Sequence, residues 1–497
     1  MLSAIIFLPL AGGLLLVLLP RTRRRLLATI AMATTLATLV LAIWIGGVFA
    51  YAGNGTVPKL EQSVPWVPAI GAKYALLCDG ISYPLVLLTV LLTFLAVLYS
   101  LFSPEKETGD QLKEYLLLFL LMETGLLGTF LAADLLLFYV FWEVALVPLY
   151  FIIGIWGHEQ RREAALKFFL YTRAGTLALL LAILGLYLKT NPHSFGMREA
   201  SSISSSVVTA FAGLVLLGFT LGFGVKLPML PIHSWLPDAH VQAPTAGSVM
   251  LAGLLLKMGG YGFIRIMLPS VRAEFAHYST VFAAFAVAGM VYAAFVALAQ
   301  RDFKRMVAFT SINHMGFVLL GVTVAAVAGS ESQRVMALDG AVLQMVSHGL
   351  LTGGMFFLIG ILQQRTGTRS FAELGGGWKK MPLYACLLTA FAFGSLGLPT
   401  MSGFVAEFQV LAATLPVFLW AAIVAVVGIA ISTAVYLRAL QQVLFGEPTS
   451  KMAKARDIVW PERIVLGVLL ACSFTIGLTP AWITAVIESG IRNLVTR

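Results

Sequence analysis

Gly222–Gly260 reads GFGVKLPMLPIHSWLPDAHVQAPTAGSVMLAGLLLKMGG. It follows a long apolar run from Val207 and leads into another, yet it carries Lys226, His233, Asp238, His240 and Lys257, with prolines at 228, 231, 237 and 244. A lysine placed in hydrocarbon costs about 2.5–3.5 kcal/mol on insertion scales. A chain tolerates that cost where a partner or a water path compensates it. The prolines interrupt the helix beside Lys226, and non-helical backbone at membrane depth survives only inside protein or along a hydrated cavity. A buried lysine beside a helix break therefore points to an ion-handling site.

Composition sets the frame. Of 497 residues 59% are hydrophobic and 11% charged, against about 25% charged in soluble domains. This is an all-α polytopic membrane protein. The three cysteines, Cys78, Cys386 and Cys472, are widely spaced and form no CxxC pair, so they suggest packing rather than a disulfide, metal or iron–sulfur site. Leu2–Leu19 has no basic residues before it and reads as a first transmembrane helix rather than a signal peptide. The net charge of +10 follows from loop topology, and no basic face with interleaved aromatics points to nucleic acid.

Fourteen apolar spans reach about the twenty residues that a bilayer requires. They lie near 2–20, 26–51, 81–102, 114–132, 133–156, 167–188, 206–240, 241–267, 279–299, 305–328, 336–363, 382–414, 417–442 and 463–488. Loops after odd-numbered spans hold twenty Lys and Arg. The opposite side holds eight, and five (Arg173, Lys226, Lys257, Arg265, Arg438) fall within spans, which accounts for all 33. By the positive-inside rule this places both termini on the non-cytoplasmic side. Spans seven and twelve are too long for one unbroken crossing, and they break at Leu227–Pro231 and Gly397–Gly403. They lie five spans apart and cross in opposite senses. Broken helices at matching places in two inverted halves mark a transport site. The expected organisation is residues 1–113 (spans one to three), 114–267 (first inverted repeat, spans four to eight), 268–446 (second, spans nine to thirteen) and 447–497 (span fourteen). The loop 52–80, with Pro58, Pro65 and Pro68, reads as a cap.

Further charged and titratable residues lie inside spans. Glu143 sits in LLLFYVFWEVALVPLYF, and its functional reading is an ion pair with Lys226; the bland one is a protonated acid bonded to backbone. Lys257 lies sixteen residues into its span, too deep to snorkel easily to a surface. His314 (TSINHMGF) and His348 (QMVSHGLL) suit a proton relay, since an unperturbed imidazole titrates near pH 6.5; packing histidines or a haem clamp are the alternatives. Glu407 follows the second break in SGFVAEFQVL, where it handles charge or caps the half-helix that starts near Ser402. Glu123 is a further candidate buried acid. His233, Asp238 and His240 could line a half-channel, and their HxxxxDxH spacing is a weak metal-ligand pattern. Asp134, Asp339, Arg173 and Arg438 lie nearer span ends and read as structural or interface residues.

GVKLPMLPIHSWLPDAHVQAPTAGSVMLAGLLLKMGGYG, together with FWEVALVPLYF, AFTSINHMGFVLLG, VLQMVSHGL and LGLPTMSGFVAEF, resembles the antiporter-like membrane subunits of respiratory complex I, an NADH-quinone oxidoreductase, over nearly the whole chain. The resemblance implies about fourteen helices in two inverted five-helix repeats. It implies Glu143 and Lys226 as a switch pair, Lys257 as the central lysine, His314 and His348 as relay histidines, and Glu407 as the terminal acid where most relatives carry lysine. No long lateral helix is expected after span fourteen. The implied function is proton translocation driven by redox chemistry elsewhere. This chain would hold no cofactor or metal; flavin, iron–sulfur clusters and quinone would belong to partner subunits. The implied partners are neighbouring membrane subunits, the peripheral redox arm indirectly and the lipid bilayer, and the implied location is a bacterial plasma membrane, with a thylakoid or organelle inner membrane as the alternatives. A Mrp-type sodium–proton antiporter or a membrane-hydrogenase subunit is the alternative. A haem protein or a plain scaffold would leave the buried lysines unexplained.

Overall fold

The structure is a computed structural model of the chain. It describes residues 1–51, 60–102, 111–201 and 209–495. Pro58, Lys59, Lys106, Val207 and Arg497 lie outside the described residues. Eleven described helices are long and apolar enough to cross a membrane, and Leu2–Leu18, Ala210–Lys226 and Pro382–Ser395 are shorter apolar helices. Ala210–Lys226 continues into Trp235–Gln242, and Pro382–Ser395 into Ser402–Thr414. The expected fourteen spans and both breaks are therefore present.

The connections explain the boundaries. Span four (Leu112–Leu131) and span five (Leu135–Trp156) form a tight hairpin. Asp134 caps span five by accepting from the amides of Leu136 (2.9 Å) and Leu137 (3.1 Å), which satisfies N–H groups that a helix start leaves open. Span fourteen differs from expectation: it ends at Leu478, and a separate helix runs Ala481–Val495. Pro480 disfavours helical backbone at the residue before it, so an apolar run that read as one helix becomes two. The 52–80 loop contains an antiparallel hairpin, β1 (Leu60–Val67) with β2 (Ala72–Cys78). It covers the four–five hairpin, with Ala133 donating to Ala75 O at 2.8 Å and Lys73 N donating to Asp134 at 3.0 Å.

Three elements form the centre. Span eight (Thr245–Ser270), span ten (Phe303–Val327) and span eleven (Glu331–Thr366) are buried along their apolar windows, whereas span two (Arg24–Tyr51), span six (Arg161–Lys189) and span thirteen (Leu419–Leu444) present much of theirs outward. Lys257 of span eight, His314 of span ten and His348 of span eleven are thus all buried inside protein. Span eight is not a regular α-helix: π-helical turns at Leu251–Leu255 and Phe263–Met267 flank the α-helical turn that carries Lys257. Such bulges concentrate at functional sites because they re-aim side chains and free carbonyls.

A candidate proton path along a buried lysine–histidine–glutamate row

Lys257 is fully buried. Its ammonium contacts the carbonyl of Ala252, one π turn back, and His348 Nδ1 at 2.6 Å. The His348 ring lies 5.6 Å from the His314 ring, centroid to centroid. His314 Nδ1 is 3.2 Å from Glu407 Oε1 and 3.4 Å from Gln344 Nε2. A small cavity of about 10 Å³ opens among His314, Gln344, Ser347, His348 and Glu407, close to the room that one water needs. Lys257, His348, His314 and Glu407 therefore form one polar row through otherwise apolar packing.

The second break sets the far end of the row. The helix stops at Ser395 and restarts at Ser402, with Gly397 (φ 77°) and Thr400 (φ 93°) in left-handed backbone between them. Gly397 suits that conformation because it has no Cβ; a Cβ there would lie 3.1 Å from Glu407 Oε2. Glu407 is in the second turn of the restarted half-helix and faces His314, so the capping alternative for it gives way to a side-chain contact. Ser402 Oγ bridges Ser347 and Ser473, each at 2.8 Å, and ties the break to spans eleven and fourteen.

The first repeat differs from expectation. Lys226 is the last residue of its half-helix, where the negative end of the helix dipole favours a cation. It lies 4.6 Å from the Trp142 ring centroid and 3.7 Å from Met258 Sδ. Glu143 does not pair with it. Glu143 instead forms an ion pair with Arg173 of span six. Among the described residues no carboxylate lies within 4.0 Å of Lys226, although Glu143 is near enough for their charges to interact. The physical reason is competition: Arg173 presents a forked donor from the adjacent helix, and a carboxylate takes the closest well-oriented cation. Sequence position suggested an interface role for Arg173 but gave no sign that it would reach Glu143.

The other predicted residues separate. Glu123 is fully buried and neither carboxylate oxygen has a partner among the described residues. His240 is also fully buried; neither ring nitrogen has a partner among the described residues, and its ring stacks on Phe356 at 4.5 Å. Asp238 points away from both histidines, paired with Lys167 (2.6 Å) and Arg305 (3.4 Å). His233 packs edge-on against Tyr292. The HxxxxDxH spacing therefore does not converge, and no metal-holding group of His, Cys, Asp or Glu occurs among the described residues. Asp134 is a helix cap, and Asp339 accepts from Gln409 at 2.8 Å. Sequence reading missed Gln344, Met258 and the Ser347–Ser402–Ser473 group; Gln344 stands four residues before His348 on the same helix, and that helical spacing was a usable signal.

Two broken helices of opposite sense around a buried lysine–histidine–glutamate row are the marks of an antiporter-like membrane subunit. Comparison agrees. Residues 132–432 match the family model for NADH:quinone oxidoreductase/Mrp antiporter transmembrane proteins. NADH-quinone oxidoreductase subunit M of Rickettsia conorii is 38% identical over 94% of this chain and 92% of its own length. The subunit M of Escherichia coli K12 is 37% identical over 95% and 92%. A chain of respiratory complex I from Thermus thermophilus superposes with a TM-score of 0.87 at 29% identity, covering all of both chains. A chain of the Mrp complex from Dietzia shares the fold, with a TM-score of 0.86 at 22% identity over 99% and 97%. The chain belongs to the NADH:quinone oxidoreductase/Mrp antiporter membrane family, on its NADH-quinone oxidoreductase subunit M branch. It is a multi-pass integral membrane protein of a multi-subunit respiratory complex.

Proposed function

We propose that the chain is one proton-translocating unit of a complex I-type NADH-quinone oxidoreductase, and that protons move through it along Lys257, His348, His314 and Glu407. The observation that carries this reading is the continuity of that row inside the most buried part of the fold. Entry is from the side of the basic loops, past His240, and both termini lie on the opposite side. The redox chemistry, with flavin, iron–sulfur clusters and quinone, resides in partner subunits; this chain contributes no redox centre. Its immediate partners are neighbouring membrane subunits. The first repeat, 114–267, holds the switch and the first conduit residue, Lys257; the second, 268–446, holds His314, His348 and Glu407.

The switch is a three-residue device. Glu143 is held by Arg173, which is half exposed and, because the helix begins at Arg161 rather than near 167, lies near the middle of span six instead of near its end as expected. A charged side chain at that depth is expensive in lipid, so a neighbouring subunit would cover it. Charge arriving from that neighbour moves Glu143 between Arg173 and Lys226. A nearby carboxylate stabilises the Lys226 ammonium, and its departure releases the proton inward. Lys226 contacts Met258, the residue next to Lys257 in sequence, and among the described residues no hydrogen bond joins the two lysines directly. At about 2.3 kcal/mol per charge per 100 mV, a buried charge interaction is sufficient to drive one proton against a membrane potential.

Lys257→Met tests the row. Methionine matches the length of the side chain and removes the buried charge. Quinone reduction should lose its coupled proton uptake while the chain still assembles and retains its helical circular dichroism. Pumping at the parent proton-to-electron ratio would overturn the path.

A further inference from the structure

The side of the protein opposite the basic loops is poor in cations, as the positive-inside rule requires. Its described basic residues are Lys73, Lys189, Arg198, Arg272, Arg334 and Arg492. Four of these six, Lys73, Arg198, Arg272 and Arg334, line one cavity of about 550 Å³, joined there by Arg265 from the end of span eight. That volume lies within the range of about 300–1,000 Å³ typical of small-ligand sites. β2, the end of span eight and the start of span eleven wall it, and Leu76, Leu268 and Leu494 give it an apolar side.

The charges do not cancel. Lys73 pairs with Glu199 at 3.1 Å, Arg198 with Glu61 at 2.8 Å, and the buried Arg265 with Asp79 at 2.7 Å. Arg272 and Arg334 have no carboxylate partner among the described residues; Arg334 Nε donates to the carbonyl of Ala328 at 2.9 Å. The undescribed stretches 52–59 and 202–208 contain no Asp or Glu. The two arginines also repel each other: burial and then the charge of Arg334 push the Arg272 guanidinium below its ordinary range. Two facing guanidiniums without an anion are an unfavourable arrangement that an anion reverses, and the planar fork of arginine matches phosphoryl oxygens.

We propose that this cavity binds a phosphoryl anion through Arg272 and Arg334, supplied by the headgroup of an anionic phospholipid or by free phosphate. The apolar side formed by Leu76, Leu268 and Leu494 would also accept the carbon that a phospholipid headgroup carries beside its phosphoryl oxygens. The site does not depend on the proton path.

The test uses the complex purified in a mild detergent and delipidated. Native mass spectrometry then measures retention of phosphatidylglycerol, phosphatidylcholine and inorganic phosphate. The parent, the Arg272→Gln/Arg334→Gln double variant and Lys189→Gln, which removes a cation on the same side outside the cavity, are compared. Each lost charge-assisted contact weakens binding roughly tenfold. Phosphatidylglycerol should therefore be retained by the parent and by Lys189→Gln and lost by the double variant, with phosphatidylcholine retained equally by all three. Retention of inorganic phosphate with the same dependence, and no preference among lipids, identifies free phosphate as the source. Equal retention of both lipids and of phosphate by parent and double variant overturns the proposal. If the double variant does not assemble, the parent alone decides: no preference for phosphatidylglycerol over phosphatidylcholine, together with no bound phosphate, overturns it.

Discussion

Replacing His348 by phenylalanine should block the proton row while leaving the packing nearly intact. Lys257 Nζ reaches His348 Nδ1 at 2.6 Å, and no hydrogen bond joins Lys257 to His314 directly among the described residues. His348 is therefore the one side-chain link between the central lysine and the His314–Glu407 contact. A positioned acid–base group contributes about 10²–10⁴-fold to a proton transfer, equivalent to roughly 3–5 kcal/mol of barrier. Phenylalanine keeps the ring and supplies neither nitrogen. Alanine at the same place acts differently: it enlarges the cavity of about 10 Å³ beside His314 and Ser347, and the polar walls admit water that bridges part of the gap. The order of pumping should be parent, then alanine, then phenylalanine. Both variants remove one of Lys257's two partners, at a cost of about 1–3 kcal/mol, and alanine adds the cost of its cavity, so stability should rank parent, phenylalanine, alanine while pumping ranks alanine above phenylalanine. The assay is proton uptake per electron in vesicles containing the assembled complex, with thermal unfolding in parallel. A phenylalanine variant that pumps at the parent rate and ratio would refute the reasoning.

Other outcomes follow from the same geometry. Lys226→Ala should abolish pumping without loss of assembly. If Arg173 and Lys226 compete for Glu143, Arg173→Gln combined with Glu143→Gln should pump no worse than Glu143→Gln alone, and additive losses in the same vesicle assay would rule out the competition. Gly259→Ala places a Cβ 2.6 Å from both Leu227 N and Phe223 O; backbone cannot yield cheaply, so overpacking should destabilise by about 1–3 kcal/mol, whereas Gly289→Ala, with nothing within 4 Å, should leave the unfolding temperature in detergent unchanged or slightly higher. His158, in the turn between spans five and six, is pushed down to about 3 by burial and then by the charges of Lys304 and Arg369. The unfolded chain therefore binds a proton between about pH 3 and 6.5 that the folded chain refuses, and stability rises with pH across that window. His158→Gln removes this contribution, so the stability of the variant relative to the parent should increase as pH falls from 7 to 4, measured by unfolding midpoints at matched ionic strength.

Span count, the two breaks and most members of the buried polar row were legible in the amino-acid sequence. Hydrocarbon leaves a chain few choices: a run of about twenty apolar residues becomes a helix because each backbone amide must be satisfied within it. The prolines of Leu227–Pro231 and Gly397–Gly403 state where that pattern fails, and a lysine such as Lys257 in the middle of a span is informative because it is costly. These are local properties, readable one segment at a time. Pairing is not local. That Glu143 turns to Arg173, thirty residues on, rather than to Lys226, depends on how span six rotates against span five. That Asp238 leaves His233 and His240 for Lys167 and Arg305 depends on two other helices. The concentration of Lys73, Arg198, Arg272 and Arg334 around one cavity joins residues from β2 to span eleven. Helix rotation and close packing settle each of these within an ångström or two, a scale on which charge partners exchange and apolar patterning is blind. The sequence by itself determined which segments cross the membrane and which buried charges need a reason; only the tertiary structure decided which of those charges meet.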